Sequence, residues 1–293
     1  MTTTAPPDGT GTSTREPVAA EAVFLAAHSS LLAPLRVRPG DVVADVGPGA
    51  GAVTVVPARG VGDTGRVHAV DNDPAMLDAV LRSAREAGVR DRVRPVLHDL
   101  DDGPPLLEEA VRAVWSAACV HHTRDWGAAV AGLAGLLRLG GTLCLVEGGL
   151  PARCLPWDVG VGRPGLEVRL DEAHNRWFTA WSEARPGRVR RTGGWPDLLT
   201  DAGLTGVTSR SALVDVPAPL PGNVRDVVLG ELAARVDRAR PHLADEDVAA
   251  WSHLLDPADP AWLGRRADLA LLTALTAHRG RAPHPGPTGG PAT

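Results

Sequence analysis

Several residue types are scarce in this sequence, and each scarcity narrows what the chain can be. Among its 293 residues there is no tyrosine, and methionine and phenylalanine occur only twice each. Because alanine, glycine, proline and arginine are plentiful, we interpret the missing tyrosine as genomic composition rather than as a functional signal. The three cysteines, Cys119, Cys144 and Cys154, form no C-x-x-C pair. Their odd number and the lack of a signal-like segment predict a cytoplasmic protein.

Two further absences exclude classes of partner. The net charge of −5 provides no basic surplus, which argues against a general electrostatic grip on nucleic acid. No apolar run reaches membrane-spanning length, so we expect no membrane partner. The hydrophobic content of 44% is enough for a full core. We expect a monomer or homodimer.

The stretch Val42–Gly51 organises the chain. It begins with a short apolar run rich in valine, which is typical of a strand buried on both faces. Gly47, Gly49 and Gly51 then follow at alternate positions. Glycine lets the backbone turn sharply and approach a ligand closely. Residues 52–56 are predicted to begin a helix whose amide N–H groups face that ligand.

Two more apolar runs end at an acidic residue. Residues 67–70 lead to Asp71, and residues 93–98 lead to Asp99. An acid about 20 residues beyond a glycine turn can accept hydrogen bonds from ribose hydroxyls. The alternative for Asp71 is a solvated turn residue, since the segment 72–74 is typical of a turn or helix start. A helix is predicted over residues 74–87.

The spacing Asp45-x-Gly47-x-Gly49-x-Gly51, with the two later acids, resembles the first motifs of the class I S-adenosylmethionine-dependent methyltransferases. The resemblance covers residues 37–150 well and residues 195–216 and 266–279 loosely. It implies an α/β Rossmann-like fold with helices on both faces of a seven-stranded, mostly parallel sheet in the order 3-2-1-4-5-7-6, the seventh strand being antiparallel. A tight turn in another α/β protein is the alternative.

The resemblance also implies S-adenosyl-L-methionine as the cofactor, with Asp99 near the adenine amino group. Met76 is equally compatible with a core position. The residues expected to bind the cofactor are Asp45, Gly47, Pro48, Gly49, Gly51, Asp71, Asn72, Met76, Asp99, Leu100 and Cys119.

The predicted fourth strand, residues 111–120, ends in a pair of histidines that resembles the family's fourth motif. His121 or His122 could deprotonate a substrate hydroxyl, because the pKa of histidine lies near neutrality. The alternative is that both are loop and packing residues. Arg112 stands where many family members carry an aspartate. Glu147, at the end of the predicted fifth strand, either touches substrate or caps the following glycine turn.

The acidic loop 99–103 has the carboxylates that metals prefer, but no further acidic or histidine cluster completes a site, so we predict no metal. A helix is predicted over residues 18–35, in which His28 either faces substrate or is a partly exposed helix residue. Further helices are predicted at 126–139, 170–184 and 223–253, and further strands at 142–146, 207–216 and 269–277. A single methyltransferase domain is predicted over residues 18–280. Disordered tails are predicted at 1–17 and 281–293.

Two segments break the strand–helix alternation, about 150–191 and 217–265, and are predicted to cover the substrate. Their tryptophans Trp157, Trp177 and Trp181 could stack on a planar acceptor or face the sulfonium, or they are structural.

The sequence therefore predicts an S-adenosylmethionine-dependent methyltransferase that acts on a small organic acceptor, in secondary metabolism. The alternatives are a protein of the same fold with a non-methylating role, as a cyclase, decarboxylase or regulatory partner, and a peptide or protein methyltransferase. A nicotinamide-dependent oxidoreductase is disfavoured by the glycine spacing.

Overall fold

The computed structural model describes residues 15–284, with side chains from Val23 onward. The predicted tails lie mostly outside this range, although helix α1 already begins at Arg15. The described strands form one seven-stranded sheet in the order β3-β2-β1-β4-β5-β7-β6, which confirms the predicted order. The strands are β1 Val42–Val46, β2 Arg66–Asp71, β3 Val93–Leu97, β4 Val111–Ala117, β5 Leu137–Arg153, β6 Thr205–Val216 and β7 Leu271–Arg281.

The first five strands run parallel, as the family resemblance implies. β1 pairs with β2 and β4, β3 pairs with β2, and β5 pairs with β4. β7 runs against β6, because Ser209 bonds to His278 whereas Ser211, two residues further along, bonds to Thr276, two residues earlier. The carboxyl ends of β1, β2, β4 and β5 therefore share one edge of the sheet, where open α/β sheets bind ligands.

The helices begin where the sequence offers caps. Asp73 accepts a hydrogen bond from the Ala75 amide and Pro74 occupies the first turn of α3. Asp125 caps α4 through the amides of residues 127 and 128. The helices are α1 Arg15–Leu32, α2 Val55–Gly60, α3 Pro74–Glu86, α4 Trp126–Gly135, α5 Leu166–Glu183, α6 Trp195–Asp201, α7 Gly222–Ala239 and α8 Asp245–Leu255. Among the described residues, no helix combines the length and apolar character needed to cross a membrane.

Several predicted boundaries were wrong. The helix predicted over 126–139 ends at Gly135, and the chain re-enters the sheet at Leu137, which pairs with Val111. β5 then passes straight through the glycine pair 148–149 that was interpreted as a turn. The helix predicted over 223–253 is two helices, because Pro241 interrupts it. The helix predicted from residue 52 begins at Val55, and the seventh strand begins two residues later than predicted and extends to Arg281.

The described chain separates into two compact units. The larger unit contains residues 25–149, 187–212 and the chain from 275 onward, and holds most of the sheet. Its core lies on both faces of the sheet, with Val67, Val114 and Leu143 fully buried. The smaller unit contains residues 150–186, 213–274 and the chain through Phe24. The predicted single domain with two substrate-covering segments stays a prediction.

The smaller unit is held together by buried ion pairs between its helices. Arg169 of α5 makes two hydrogen bonds, both of 2.8 Å, to the Asp247 carboxylate of α8, whose side chain is 3% exposed. Asp171 of α5 pairs with Arg153 and Arg235. The Glu167 carboxylate accepts hydrogen bonds from the amides of residues 154 and 155, and burial raises its pKa. These contacts fix α5 against α7 and α8.

Candidate active site

The glycine loop after β1 is shaped by contacts inside the protein. Gly47, Gly49 and Gly51 have φ values of +68°, +56° and +90°, a region in which other residues are strained. A Cβ on Gly47 would lie 2.5 Å from the Cys119 side chain, and one on Gly51 would lie 2.7 Å from the Val80 backbone. Two of the three glycines thus make room for the protein itself, where the sequence suggested room for a ligand.

Asp45, the acid of the motif, is 2% exposed at the end of β1. Its carboxylate accepts a 2.7 Å hydrogen bond from the Thr54 hydroxyl on the far side of the loop. Ser83 of α3 donates to the Ala50 carbonyl at 2.8 Å. Hydrogen bonds within the protein therefore hold the glycine loop on both sides. Thr54 and Ser83 were missed in the sequence because nothing in their spacing marks them as partners of the loop.

The acids that end β2 and β3 lie near each other. Asn72 donates to the Asp99 carboxylate at 3.3 Å, so two residues 27 positions apart in the chain meet beyond the ends of β2 and β3. Asp71 and Asp99 each accept a backbone hydrogen bond of 2.9 Å from the residue two positions later. The Gly47 amide donates to the Val70 carbonyl at 2.9 Å, which joins the glycine loop to the end of β2. Of the other predicted contacts, Pro48 is buried and Met76 and Leu100 are half-buried.

In the acidic loop after β3, Asp101 forms an ion pair with Arg124. Asp101 accepts a 2.7 Å hydrogen bond from the Arg124 amide and pairs with its guanidinium at 3.1 Å. The loop after β3 is thereby tied to the segment that precedes α4. Within residues 15–284 no group of three or more metal-binding side chains is present.

Glu147 is a residue of β5, and its carboxylate contacts the loop after β4. Its side chain is 1% exposed. One carboxylate oxygen accepts hydrogen bonds from the backbone amides of Cys119 and Val120, at 3.1 and 2.8 Å. The other oxygen lies 2.7 Å from Nδ1 of His121. Glu147 therefore contacts neither solvent nor the glycine pair that follows it, and the role as a cap of that turn, predicted as one alternative, is wrong.

The charges of three acidic side chains act on the Cys119 thiol. Burial, with smaller contributions from the charges of Glu147, Asp71 and Asp45, raises the pKa of the thiol to about 12. The thiol is therefore protonated near neutral pH and is not a nucleophile. Cys119 also lies against Gly47, so the loop after β4 packs on the glycine loop after β1.

The two histidines differ in their surroundings. The His121 side chain is 27% exposed, and its backbone carbonyl accepts a 3.1 Å hydrogen bond from the Trp126 indole. That indole stacks on Trp195 at 4.9 Å and carries the Arg188 guanidinium 4.8 Å from its centroid. His122 is exposed and lies 4.0 Å from the His121 ring. His121 is thus the histidine that the structure holds in place.

Comparison with known proteins agrees with this geometry. Residues 43–141 match a family model described as a methyltransferase domain. A Pyrobaculum calidifontis protein named "probable cobalt-precorrin-6B C(15)-methyltransferase (decarboxylating)" is 46% identical over 66 residues, which are 22% of this chain and 34% of that protein. This chain spans about a third of the length of the relatives it matches. Residues 43–141 are therefore similar to a methyltransferase domain.

Solved structures support the same fold. The YcgJ protein from Bacillus subtilis is 16% identical with a TM-score of 0.52, and the match covers 88% of this chain and 99% of that one. A phosphoethanolamine N-methyltransferase 2 from Haemonchus contortus, solved with S-adenosyl-L-methionine, is 14% identical with the same TM-score of 0.52, over 94% of this chain and 59% of that one. At these identities the likeness concerns the fold alone.

The remaining predicted residues lie on the smaller unit or on α1. Trp177 and Trp181 of α5 stack at 6.3 Å, with Arg238 over the first ring and Arg185 over the second. Guanidinium groups therefore already lie over the indole rings that were predicted to face a sulfonium. Trp157 is 70% exposed and lies against Gly165. Whether any of these rings contacts an acceptor stays a prediction.

His28 is a packing residue near the end of α1. Its ring lies edge-on to Trp115 of β4 at 5.8 Å, and its Nδ1 is buried with no hydrogen-bond partner. Burial lowers the pKa of His28 to about 4. The half-buried ring agrees with the alternative of a partly exposed helix residue, and contact with substrate stays a prediction.

Proposed function

We propose that this protein is an S-adenosylmethionine-dependent methyltransferase that acts on a small organic acceptor. The observation that carries the proposal is the meeting of the β1, β2 and β3 ends, with Asn72 bonded to Asp99 and Gly47 bonded to the end of β2. The match of residues 43–141 to a methyltransferase domain supports it. The positions Asp45, Asp71 and Asp99 are those that the family resemblance assigns to the cofactor.

The electrostatics of this region suit a positively charged cofactor. S-adenosylmethionine carries a sulfonium, and the carboxylates of Asp45, Asp71 and Glu147 all act on the Cys119 thiol. Opposite charges attract strongly where water is scarce. Methyl transfer from a sulfonium is a direct displacement, for which the protein supplies mainly position and a dry surface. The carboxylates would hold the cofactor more tightly than its uncharged product.

A small acceptor agrees with the charge of the chain. The net charge of −5 does not favour a nucleic acid acceptor. The proposal includes a place in secondary metabolism and leaves open which atom of the acceptor receives the methyl group.

A two-stage experiment tests the proposal. Calorimetric titrations of the full chain with S-adenosylmethionine, its demethylated product and a nicotinamide dinucleotide should show binding of the first two alone. The protein is then incubated with trideuteromethyl S-adenosylmethionine and a small-molecule extract, and mass spectrometry should detect an acceptor that gains the label. Failure to bind S-adenosylmethionine would refute the proposal. Binding without labelled product from small-molecule, peptide or protein fractions would favour a non-methylating role.

A further inference from the structure

The contact between Glu147 and His121 defines which nitrogen of that histidine carries a proton. A carboxylate accepts hydrogen bonds and does not donate them. Glu147 already receives two backbone amides on one oxygen, and its other oxygen lies 2.7 Å from Nδ1 of His121. Nδ1 must therefore be the protonated nitrogen, and in the neutral ring Nε2 is the basic one.

The placement of the ring is fixed at both ends. The carboxylate holds Nδ1, and the Trp126 indole holds the backbone carbonyl of the same residue. Glu147 in turn is placed by the sheet, because Val146 pairs with Ala117 and the Ala118 amide donates to the Val146 carbonyl at 2.9 Å. The sheet thus fixes the orientation of the His121 imidazole, as a positioned general base requires.

We propose that Glu147 is a positioning residue that makes Nε2 of His121 the general base for an acceptor whose nucleophile is a hydroxyl. This inference rests on the proposed function and narrows its substrate class. In the step, a lone pair of the acceptor oxygen forms the new C–O bond to the methyl carbon. The C–S bond breaks, and its electron pair neutralises the sulfonium. The hydroxyl proton passes to Nε2, which gives a His121 imidazolium beside the Glu147 carboxylate. The imidazolium later releases this proton to water.

The substitution Glu147→Gln gives a sharp prediction because it keeps the shape of the side chain. The two backbone amides require an acceptor, so the amide oxygen of glutamine takes the place of the oxygen that they contact. The NH₂ group then faces Nδ1 of His121 and donates to it. Nδ1 becomes the acceptor, the ring proton moves to Nε2, and the base is lost. An asparagine in place of the aspartate of a serine protease triad acts in the same way.

Nitrogen-15 NMR of the full chain bound to S-adenosylhomocysteine reads the tautomer directly. The His121 signals are assigned by their loss in His121→Phe. We expect the Nδ1–H tautomer in the parent and the Nε2–H tautomer in Glu147→Gln, with the exposed-site variant Glu86→Gln like the parent. A parent ring that is protonated on Nε2, or a ring whose tautomer is unchanged in Glu147→Gln, would overturn the inference. The parent spectrum alone decides the matter if the variant does not fold.

Activity separates this inference from the proposed function. With the labelled extract described above, Glu147→Gln should lower labelling by about 100-fold or more and leave the affinity for S-adenosylmethionine within about threefold. Labelling within about threefold of the parent, with the expected tautomer change, would show that no base is used and would overturn the inference while leaving the methyltransferase proposal intact. Loss of cofactor binding in the parent would instead refute the proposed function.

Discussion

Gly51 should be far less tolerant of a side chain than Gly88, although both have positive φ. Gly51 has φ +90° and Gly88 has φ +70°. A Cβ on Gly88 would meet nothing within 4 Å, whereas one on Gly51 would lie 2.7 Å from the Val80 backbone. Gly88→Ala therefore measures the backbone strain alone, about 1–2 kcal/mol. Gly51→Ala adds a steric clash, for which overpacking costs about 1–3 kcal/mol more.

The clash cannot be relieved by a side-chain rotation, because the contacted atom is the Val80 Cα. α3 would have to move away from the loop, and Ser83 would lose its hydrogen bond to the Ala50 carbonyl. α3 also begins directly after Asp71 and Asn72, so its displacement should weaken binding of S-adenosylmethionine. Gly88, at the other end of the same helix, should leave that affinity unchanged.

Urea unfolding followed by tryptophan fluorescence gives the two free energies of unfolding, and calorimetry gives the two affinities. We expect Gly51→Ala to be less stable than Gly88→Ala by about 1–3 kcal/mol. A difference below about 0.5 kcal/mol would mean that the loop and α3 yield freely, and the account of Gly51 as a packing residue would be refuted.

Three further variants test other parts of the structure. Asp71→Ala should lower the affinity for S-adenosylmethionine by about 1–3 kcal/mol, the cost of leaving a polar partner unpaired, whereas exposed Asp78→Ala should not, as measured by calorimetry. His28, whose pKa is lowered to about 4, binds a proton in the unfolded chain near pH 6.5 but not in the folded one, so it destabilises the protein as pH falls from about 6.5 towards 4. His28→Phe should flatten that part of the pH–stability curve, and an unchanged slope would exclude His28 as its source. Arg169→Met should destabilise the smaller unit by about 3–5 kcal/mol, because it leaves the buried Asp247 charge uncompensated. Arg169→Met with Asp247→Leu should recover much of that loss in urea unfolding, and no recovery would contradict the ion-pair account.

The sheet could be predicted from the sequence because its signals are local. Buried valine runs, the glycines at 47, 49 and 51 and the acids at 71 and 99 each lie within a few residues of the feature they indicate. The extent of β5 could not, because its first residues pair with Val111 and Ala282 rather than with near neighbours. Glycine pairs such as Gly148–Gly149 occur both in turns and in strands. Only pairing with neighbouring strands determines which of the two structures such a pair adopts.

The roles of single side chains were harder to predict for the same reason. Glu147 stabilises residues 26 to 28 positions away, and no pattern within β5 reveals that distance. Asp101 was assigned to an acidic loop without a metal, but its partner Arg124 lies 23 positions away and no local pattern indicates it. Asn72 and Asp99 meet because the parallel sheet brings the ends of neighbouring strands together regardless of side-chain detail, and their contact with the cofactor stays a prediction.

The irregular pairing at the start of β5 has an evolutionary consequence. Between the pairs Val111–Leu137 and Ala113–Thr142 the register shifts, so residues 138–141 absorb the mismatch. An insertion or deletion of one residue there is either absorbed within the bulge, which leaves every strand in place, or passed on as a slip of β5 by one position. Yet side chains alternate between faces, so a slip of one position would turn Glu147 away from the loop that it holds. Homologues that differ in length at this bulge can therefore keep the same fold and the same glycine loop but lose the contact between Glu147 and His121. The length of the segment 138–141 then distinguishes homologues that keep this contact from those that lose it.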